Sequence, residues 1–588
     1  MRAAAFLLLG AAALYAQAPC ANTPAYSSCD IPFDLPAGHS DPYRTVELKA
    51  EFRSPRHRTF AMPAFWAGGN RMVIRFTPTE AGDWDYRVTS NLKEFDGKQG
   101  SFTAAASEAR GFLRAANTHH WAYTEKDTRG LDQAHLWMGA TEMRLAVEDD
   151  AAFRAAADAR AAQKFNHLRG SLAADGGAAM YASPDAPNTA FFDRLDGRIR
   201  YLNGKGITAD LILAGDGAAL VKLFPNWDQR RRFIRYLVAR YAPMHVTWQG
   251  VEHFEDTLDT RAVLKEIGGL LKELDPYQHP RGTGARVTSA PLLDDGWMDY
   301  ASYGTADSNV GAIEHQLYAA PFVNLDFGRE ESDTAAFRHR LWSVTMDGQH
   351  PTYEAAAGRV DSPGAKQMTV WFDFFSDTRY WELEPYFDVD GGRALALEDT
   401  EYVVYIEKPG PLELQVEKHG YDVFWVNPID GEITKGKKFS GTHFTGSPPD
   451  NAHDWILHVV REGHMESMNR SYKFESRPVL LQEIEANSPK VPFTIERPAA
   501  DLTLRVAAPY EAKITRETRA TRTMLYLWTG DVSAGGQGYR VIGTGAKGVM
   551  RPLNGLAKEF PAIMHLKVYG MNANGKVYAI DRAFSINP

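Results

Sequence analysis

The chain has 588 residues, with 65 lysines and arginines against 74 aspartates and glutamates (net charge −9) and only two cysteines. With 44% hydrophobic and 24% charged residues it has a globular composition, which excludes wholesale disorder and fibrous repeats, and its length suggests about four domains. A mild negative charge over this length argues against nucleic acid or an anionic membrane as the main partner, and two cysteines are too few for a disulfide-dense scaffold.

Met1-Arg2, the apolar run Ala3 to Tyr15 and the small-residue stretch Ala16-Gln17-Ala18 read as a secretory signal peptide over residues 1–18. The alternative is an uncleaved anchor, but the run is shorter than the ~20 residues a spanning helix needs. No later segment is long and apolar enough to span a bilayer, so a secreted or periplasmic protein is expected. Cys20 and Cys29 lie close together in this exported segment, compatible with a small disulfide, whereas cleavage after Cys20 would leave Cys29 alone.

From 26 to 107 the pattern is short strands and turns, an N-terminal β-sandwich. Val73 to Phe76 and Trp84 to Val88, joined by a Pro- and Gly-containing connection, read as a hairpin. From 111 to 396 strands alternate with helices. Phe191, Leu195, Ile199 and Leu202 recur at helical spacing, as do Ile234, Leu237, Val238 and Tyr241, then Val263 to Leu274, then Phe337, Leu341 and Val344. Eight strands are expected, near Leu136–Thr141, Phe165–Leu168, Ile207–Leu213, Val246–Val251, Gly284–Thr288, Met298–Ser302, Phe322–Asp326 and Pro351–Tyr353. Eight parallel strands with intervening helices predict a (β/α)8 TIM barrel as the central domain. Two C-terminal β-sandwich domains follow, at 397–465 and 488–588, the second with a hairpin signal at Asn574-Gly575.

Most motif matches fail on context. Gly543 to Gly548 fits GxGxxG but lies in a β block with no helix to receive a pyrophosphate, so a turn is expected. His119-His120 has no accompanying HExxH or Cys/His ladder, so no zinc site is read there. Asp388-Val389-Asp390-Gly391 lacks the remaining ligands of a calcium loop and reads as a turn. Asn469-Arg470-Ser471 is a lone sequon. No cofactor is required by any of these segments.

What remains is carboxylates at strand ends, where such barrels place their chemistry. Glu252 ends the fourth strand and Asp326 the seventh, with Glu330 four residues on. Glycosidic cleavage needs two carboxyls, one protonated to push off the leaving oxygen, the other ionised to attack or to stabilise an oxocarbenium-like state. Asn166, Arg169, Asp216, Trp248 and Tyr303 are candidate sugar contacts, and Glu142 is a weaker acidic candidate after strand one. For each such acid the competing role is a helix cap or an arginine partner. Glu255 and Asp256 read as the start of the following helix.

The run from Arg235 to Glu252, with Asp275-Pro276-Tyr277-Gln278-His279-Pro280-Arg281, resembles the helix and fourth strand of apiosidase-like barrel glycoside hydrolases. Phe65-Trp66-Ala67-Gly68-Gly69, Arg75-Phe76-Thr77-Pro78 and Gly82-Asp83-Trp84 resemble the small β-sandwich that often precedes such barrels. Tyr402 to Tyr405, Phe424 to Pro428 and Asp454 to Leu457 resemble the collagen-binding-type sandwich found after such barrels. The resemblance implies a retaining hydrolase of a poly- or oligosaccharide, with Glu252 as acid/base and Asp326 where relatives usually carry the glutamate nucleophile. Glu330 is the alternative if the loop folds back. Gly139-Ala140-Thr141 stands where relatives usually have Gly-Asp-Thr. The competing expectation is an inactive carbohydrate-binding or adhesion protein that keeps the barrel as a groove. The oligomeric state is left open.

Overall fold

The computed structural model describes residues 19–257, 259–330, 333–354, 360–463, 474–476, 479–499, 502–503, 507–532, 540–550 and 562–587. The signal-peptide segment 1–18 and the sequon at Asn469 lie outside the described residues. The chain divides into a compact unit through Ala109 and a second from Arg110 onward.

In the first unit alternating apolar residues build two antiparallel sheets. One orders Cys29–Asp34, Arg71–Phe76 and Phe65–Trp66; the other orders Thr59–Pro63, Leu48–Arg53, Gly82–Ser90 and Gln99–Ala104. Phe76 from the first sheet lies 3.8 Å, ring to ring, from Phe52 of the second, and Phe60, Trp84 and Phe102 close around it. The expected hairpin between Arg71–Phe76 and Gly82–Ser90 does not form, because the two strands belong to different sheets and their connection crosses between the layers. Both need a buried aromatic face, and only opposite sheets can offer Phe76 and Trp84 to one another. The disulfide Cys20–Cys29 is present.

The second unit opens with a three-stranded sheet, Leu113–Ala116, His120–Lys126 and Asp132–His135. The barrel follows. Its strands, in chain order, are Gly139–Thr141, His167–Ser171, Thr208–Ala214, Val246–Val251, Arg281–Gly282, Ala301–Tyr303, Phe322–Asn324 and Gln349–Glu354. Hydrogen bonding runs 5-4-3-2-1-8-7-6, all parallel, and between strands five and six the Asp299 N–H donates to the Arg281 carbonyl at 2.8 Å. The ring is nearly closed. Strand five is not at Gly284–Thr288 as expected. That segment leaves the barrel, and Thr288 bridges antiparallel to Tyr303. The helices occur where their apolar spacing placed them, among them Thr189–Gly204, Trp227–Tyr241, Thr260–Leu274 and Thr334–Met346.

An antiparallel sheet begins at Glu384 and orders Glu384–Tyr386, Arg393–Leu397, Glu401–Ile406, Trp455–Arg461, Leu412–Val426 and Val389–Asp390. The two separate strands expected at Leu412–Val416 and Val423–Val426 are one continuous strand. The last region stacks a sheet containing Leu525–Val532, Ala562–Met571 and Val577–Asn587 on a smaller one with Phe493–Arg497, Pro509–Ile514 and Lys547–Val549, around Trp528 and Tyr510. Met571 pairs with Val577 across the turn holding Asn574-Gly575. Gly545, with φ +78°, turns the chain between Arg540–Thr544 and Lys547–Val549, so the GxGxxG match is a turn between strands. Asp388 to Gly391 is likewise a short strand and turn, with Asp390 paired to Arg519 at 2.6 Å. Among the described residues no helix is long and apolar enough to cross a membrane.

Candidate active site

Parallel register decides which side chains share a level inside a barrel. Thr141 pairs with Arg169 on one side and Glu354 on the other, and Asp210 pairs with both Arg169 and Thr247. These side chains form a polar layer in the interior. Arg169, only 5% exposed, donates from Nε to Gln249 Oε1 at 2.7 Å. Asp210 accepts from Thr247 Oγ1 at 2.7 Å and faces His167 Nδ1 at 2.9 Å, and His167 stacks on Trp137 with ring centres 3.4 Å apart. The buried Tyr300 hydroxyl, raised by burial and by Asp210, lies in the field of Thr247, Gln249 and Arg169. Burying so many polar groups is costly unless they are satisfied; the hydrogen bonds above do this in part, while Thr141 Oγ1, Asp210 Oδ2, Gln249 Nε2 and the Tyr300 hydroxyl have no protein partner among the described residues.

Above the layer lie the acids. Glu252 follows strand four, its N–H bonded to the carbonyls of Ala214 and Gly215 at the end of strand three. Asp326 follows strand seven. There the Asn324 amide bonds Gln349 Oε1 and the Thr305 carbonyl, each at 2.7 Å, while Asn324 Oδ1 accepts the Asp326 N–H at 3.2 Å. This turn leaves Asp326 exposed, with Gly328 N–H donating to its Oδ1 at 3.1 Å. Among the described residues neither Glu252 nor Asp326 lies within ion-pair distance of a basic side chain.

Glu354, the last residue of strand eight, links the two. Burial raises its carboxyl above the ordinary range, and the charges of both Asp326 and Glu252 push it further, against Arg329 and Arg169. Arg329 pairs with it at 3.4 Å. Glu252, Asp326 and Glu354, at the C-terminal ends of strands four, seven and eight, therefore share one electrostatic neighbourhood with Arg169, midway along strand two. His253 joins it: burial lowers its imidazole, while Glu252 beside it opposes the shift. Glu354 and His253 were not among the sequence candidates. The strand-end rule that finds Glu252 reaches Glu354 as well once strand eight is extended one residue past Tyr353.

Several other candidates are corrected. Trp248 is fully buried and donates from Nε1 to Asp275 Oδ2 at 2.9 Å; it alternates to the helix side of strand four, away from Thr247 and Gln249, so it cannot stack on a sugar. Tyr303 is also fully buried, packed 5.2 Å from the Phe322 ring in a core shared with Leu527 and Val577. Asn166 precedes strand two at the opposite end of the barrel. It bonds the Met138 N–H (2.9 Å) and the Leu136 carbonyl (2.7 Å), locking strand one to strand two. Asp216 caps the helix Gly217–Leu223, accepting from Ala219 N–H at 2.7 Å. Glu330, 7% exposed, accepts from the Tyr353 hydroxyl at 2.5 Å and the Gly364 N–H at 2.8 Å, which anchors it at the start of helix Pro363–Ser376 rather than over the mouth. Glu142 pairs with Arg160 at 3.2 Å. Glu255 and Asp256 form a single 3-10 turn, Asp256 bonded to Arg286 and Glu255 accepting the Arg286 N–H at 2.9 Å. Arg169 alone among the expected sugar contacts stays beside the acids.

Residues 131–331 match the family model described as the apiosidase-like catalytic domain, and residues 22–91 match a domain of unknown function, DUF5060. A candidate glycoside hydrolase from Bacteroides vulgatus superposes with a TM-score of 0.65 at 17% identity, over 75% of this chain and 100% of that one. A family 5 glycoside hydrolase from the same organism superposes with a TM-score of 0.52 at 13% identity, over 62% and 96%. No curated protein matches the sequence. The structural likenesses establish the fold, and the family match falls on the segment that carries Glu252, Asp326 and Glu330.

Proposed function

We propose, from the premise that residues 131–331 form an apiosidase-like glycoside hydrolase domain, that this chain cleaves a poly- or oligosaccharide with Glu252 as general acid/base and Asp326 as nucleophile. The observation that carries the reading is the shared neighbourhood of Glu252, Glu354, Asp326 and Arg169 above the polar layer. Glu252 protonates the leaving oxygen and then deprotonates the incoming water; Asp326, exposed and held by the Gly328 N–H, attacks the anomeric carbon. Glu354, close enough to feel the charges of both acids, is suited to bind a sugar hydroxyl. Arg169 balances the negative charge from below. Aspartate in place of glutamate shortens the nucleophile by one methylene, so the sugar must sit closer to strand seven.

The disulfide and the apolar leader support action outside the cytoplasm.

The test is sugar release from a panel of plant and microbial glycans, with anomeric configuration of the first product followed by NMR. The wild type is expected to release sugar with retention, and Glu252→Gln to lower kcat/KM by roughly 100- to 10,000-fold without changing the thermal midpoint. Asp326→Asn is expected to be at least as damaging. If Glu252→Gln matches the wild type, the site is wrong. If the wild type releases nothing yet is retained on a polysaccharide column, the barrel is a binding groove.

A further inference from the structure

At the other end of the barrel, remote from these acids, two histidines and a glutamate from three separate elements meet. His119 lies in the turn before strand His120–Lys126, His315 ends the helix Ser308–His315, and Glu384 begins the C-terminal sheet. His119 and His315 are 2% and 3% exposed. His119 Nδ1 and His315 Nε2 each stand 3.1 Å from Glu384 Oε2, and the three ligand atoms lie within 4.8 Å of one another.

The group gathers two ring nitrogens and a carboxylate oxygen at one buried place. His119 Nε2 sits 3.0 Å from the Tyr318 carbonyl, which can only accept, so Nε2 carries the hydrogen. In the neutral ring Nδ1 is then a lone pair, facing an oxygen of Glu384. His315 Nε2, although 3.1 Å from the same oxygen, has no hydrogen-bond partner in line. A cation between His119 Nδ1 and Glu384 Oε2, whether a proton on the ring or a metal ion, satisfies both. A histidine that gives its outer N–H to a backbone carbonyl and turns its other nitrogen inward is oriented as a metal ligand is.

We propose that His119 Nδ1, His315 Nε2 and Glu384 Oε2 bind one divalent transition-metal ion, of zinc type, which clips the C-terminal sheet to the base of the barrel. A point equidistant from the three atoms lies no more than about 2.5 Å from each, given the distances above, against about 2.0–2.2 Å for zinc bound to nitrogen or carboxylate oxygen. Two imidazoles and one carboxylate suit zinc rather than magnesium or calcium, which prefer all-oxygen shells. His120 Nε2, 3.2 Å from Glu384 Oε1, steadies the carboxylate's other oxygen. Gly348 is required beside the site: its φ is +77°, and a Cβ there would lie 2.6 Å from His315 Nε2. His119-His120 fails as a zinc motif on spacing because its partners come from residues about 200 and 265 positions away.

The test uses the full mature chain without a polyhistidine tag, stripped with chelator and gel-filtered after exposure to Zn2+, Co2+ or Mg2+. One retained equivalent of zinc is expected, with a tetrahedral-type visible spectrum for Co2+, no retention of Mg2+, and a thermal midpoint that falls several degrees on stripping and returns with zinc. Glu384→Gln and His315→Ala should weaken zinc retention by about 100-fold or more, while His443→Ala, at an exposed histidine, leaves it unchanged. Negligible uptake by the unmodified chain, with an unchanged midpoint, overturns the proposal and leaves an imidazolium at His119 in the ion's place. Retention that survives both variants overturns it too, and should those variants fold poorly, uptake and the Co2+ spectrum of the unmodified chain decide.

Discussion

Glu314 shows how far one residue's surroundings set its chemistry. It is fully enclosed in helix Ser308–His315, accepts from Thr288 Oγ1 at 2.5 Å and lies beside the Tyr303 hydroxyl. Burial pushes its carboxyl up to about 7 from an ordinary 4.5. The folded state therefore binds the proton more tightly than the unfolded chain. The stability from that proton is fully present below about 4.5 and is lost as pH rises through about 7. Glu314→Gln, which cannot ionise, should gain on the wild type by a few kcal/mol between pH 5 and pH 8, read as a difference in urea midpoints at the two values. Equal pH dependence of both proteins would contradict the assignment. The same contrast separates Glu330 from Asp326. Both are acids after strand seven, but one is bound by a tyrosine hydroxyl and a helix N-terminus while the other faces solvent.

At the scale of the element, strand four was legible residue for residue as Val246–Val251, and strand five was not. Val246, Trp248 and Val251 in a short run between a helix and a carboxylate announce a buried parallel strand. Strand five is two residues long, too short for any periodicity, and it is placed by what it touches. Gly284 just beyond it donates its N–H to the Val251 carbonyl at 2.8 Å, and a Cβ there would lie 2.0 Å from the Glu252 carbonyl oxygen. Gly284→Ala should thus displace Glu252. A shift near 1 Å at an acid/base costs about 100-fold in kcat/KM, with a much smaller change in thermal midpoint. Unchanged kinetics in a folded Gly284→Ala protein would show that Glu252 is not positioned by this contact.

At the scale of the whole second unit, the C-terminal sheets are joined to the barrel by buried charge as well as by packing. Asp454 accepts from Arg338 Nε at 3.0 Å through both oxygens and from the Tyr405 hydroxyl at 2.9 Å, while Tyr405 stacks on Trp342 at 5.7 Å. Arg338→Ala would strand a buried carboxylate and should cost about 3–5 kcal/mol, seen as a lowered denaturation midpoint. Loss of less than about 1 kcal/mol would show that solvent enters the junction freely. From the last sheet, Arg540 reaches the Glu255 carbonyl at 3.0 Å, so the loop that follows Glu252 is braced by a region some 280 residues downstream.

Local pattern determined the class of this protein. Helical spacing, apolar strands and turn residues sufficed for a barrel of parallel strands between β regions, though not for the place of strand five, and carboxylates at strand ends singled out Glu252 and Asp326, because each of these signals is carried by neighbours in the chain. Which polar side chains face the interior, which acids are consumed as caps or anchors, and that Glu354 joins the group at the mouth were decided only by the fold. So was the meeting of His119, His315 and Glu384. Register and packing bring together groups that no spacing in one dimension relates, and a side chain's charge, exposure and partners follow from that company.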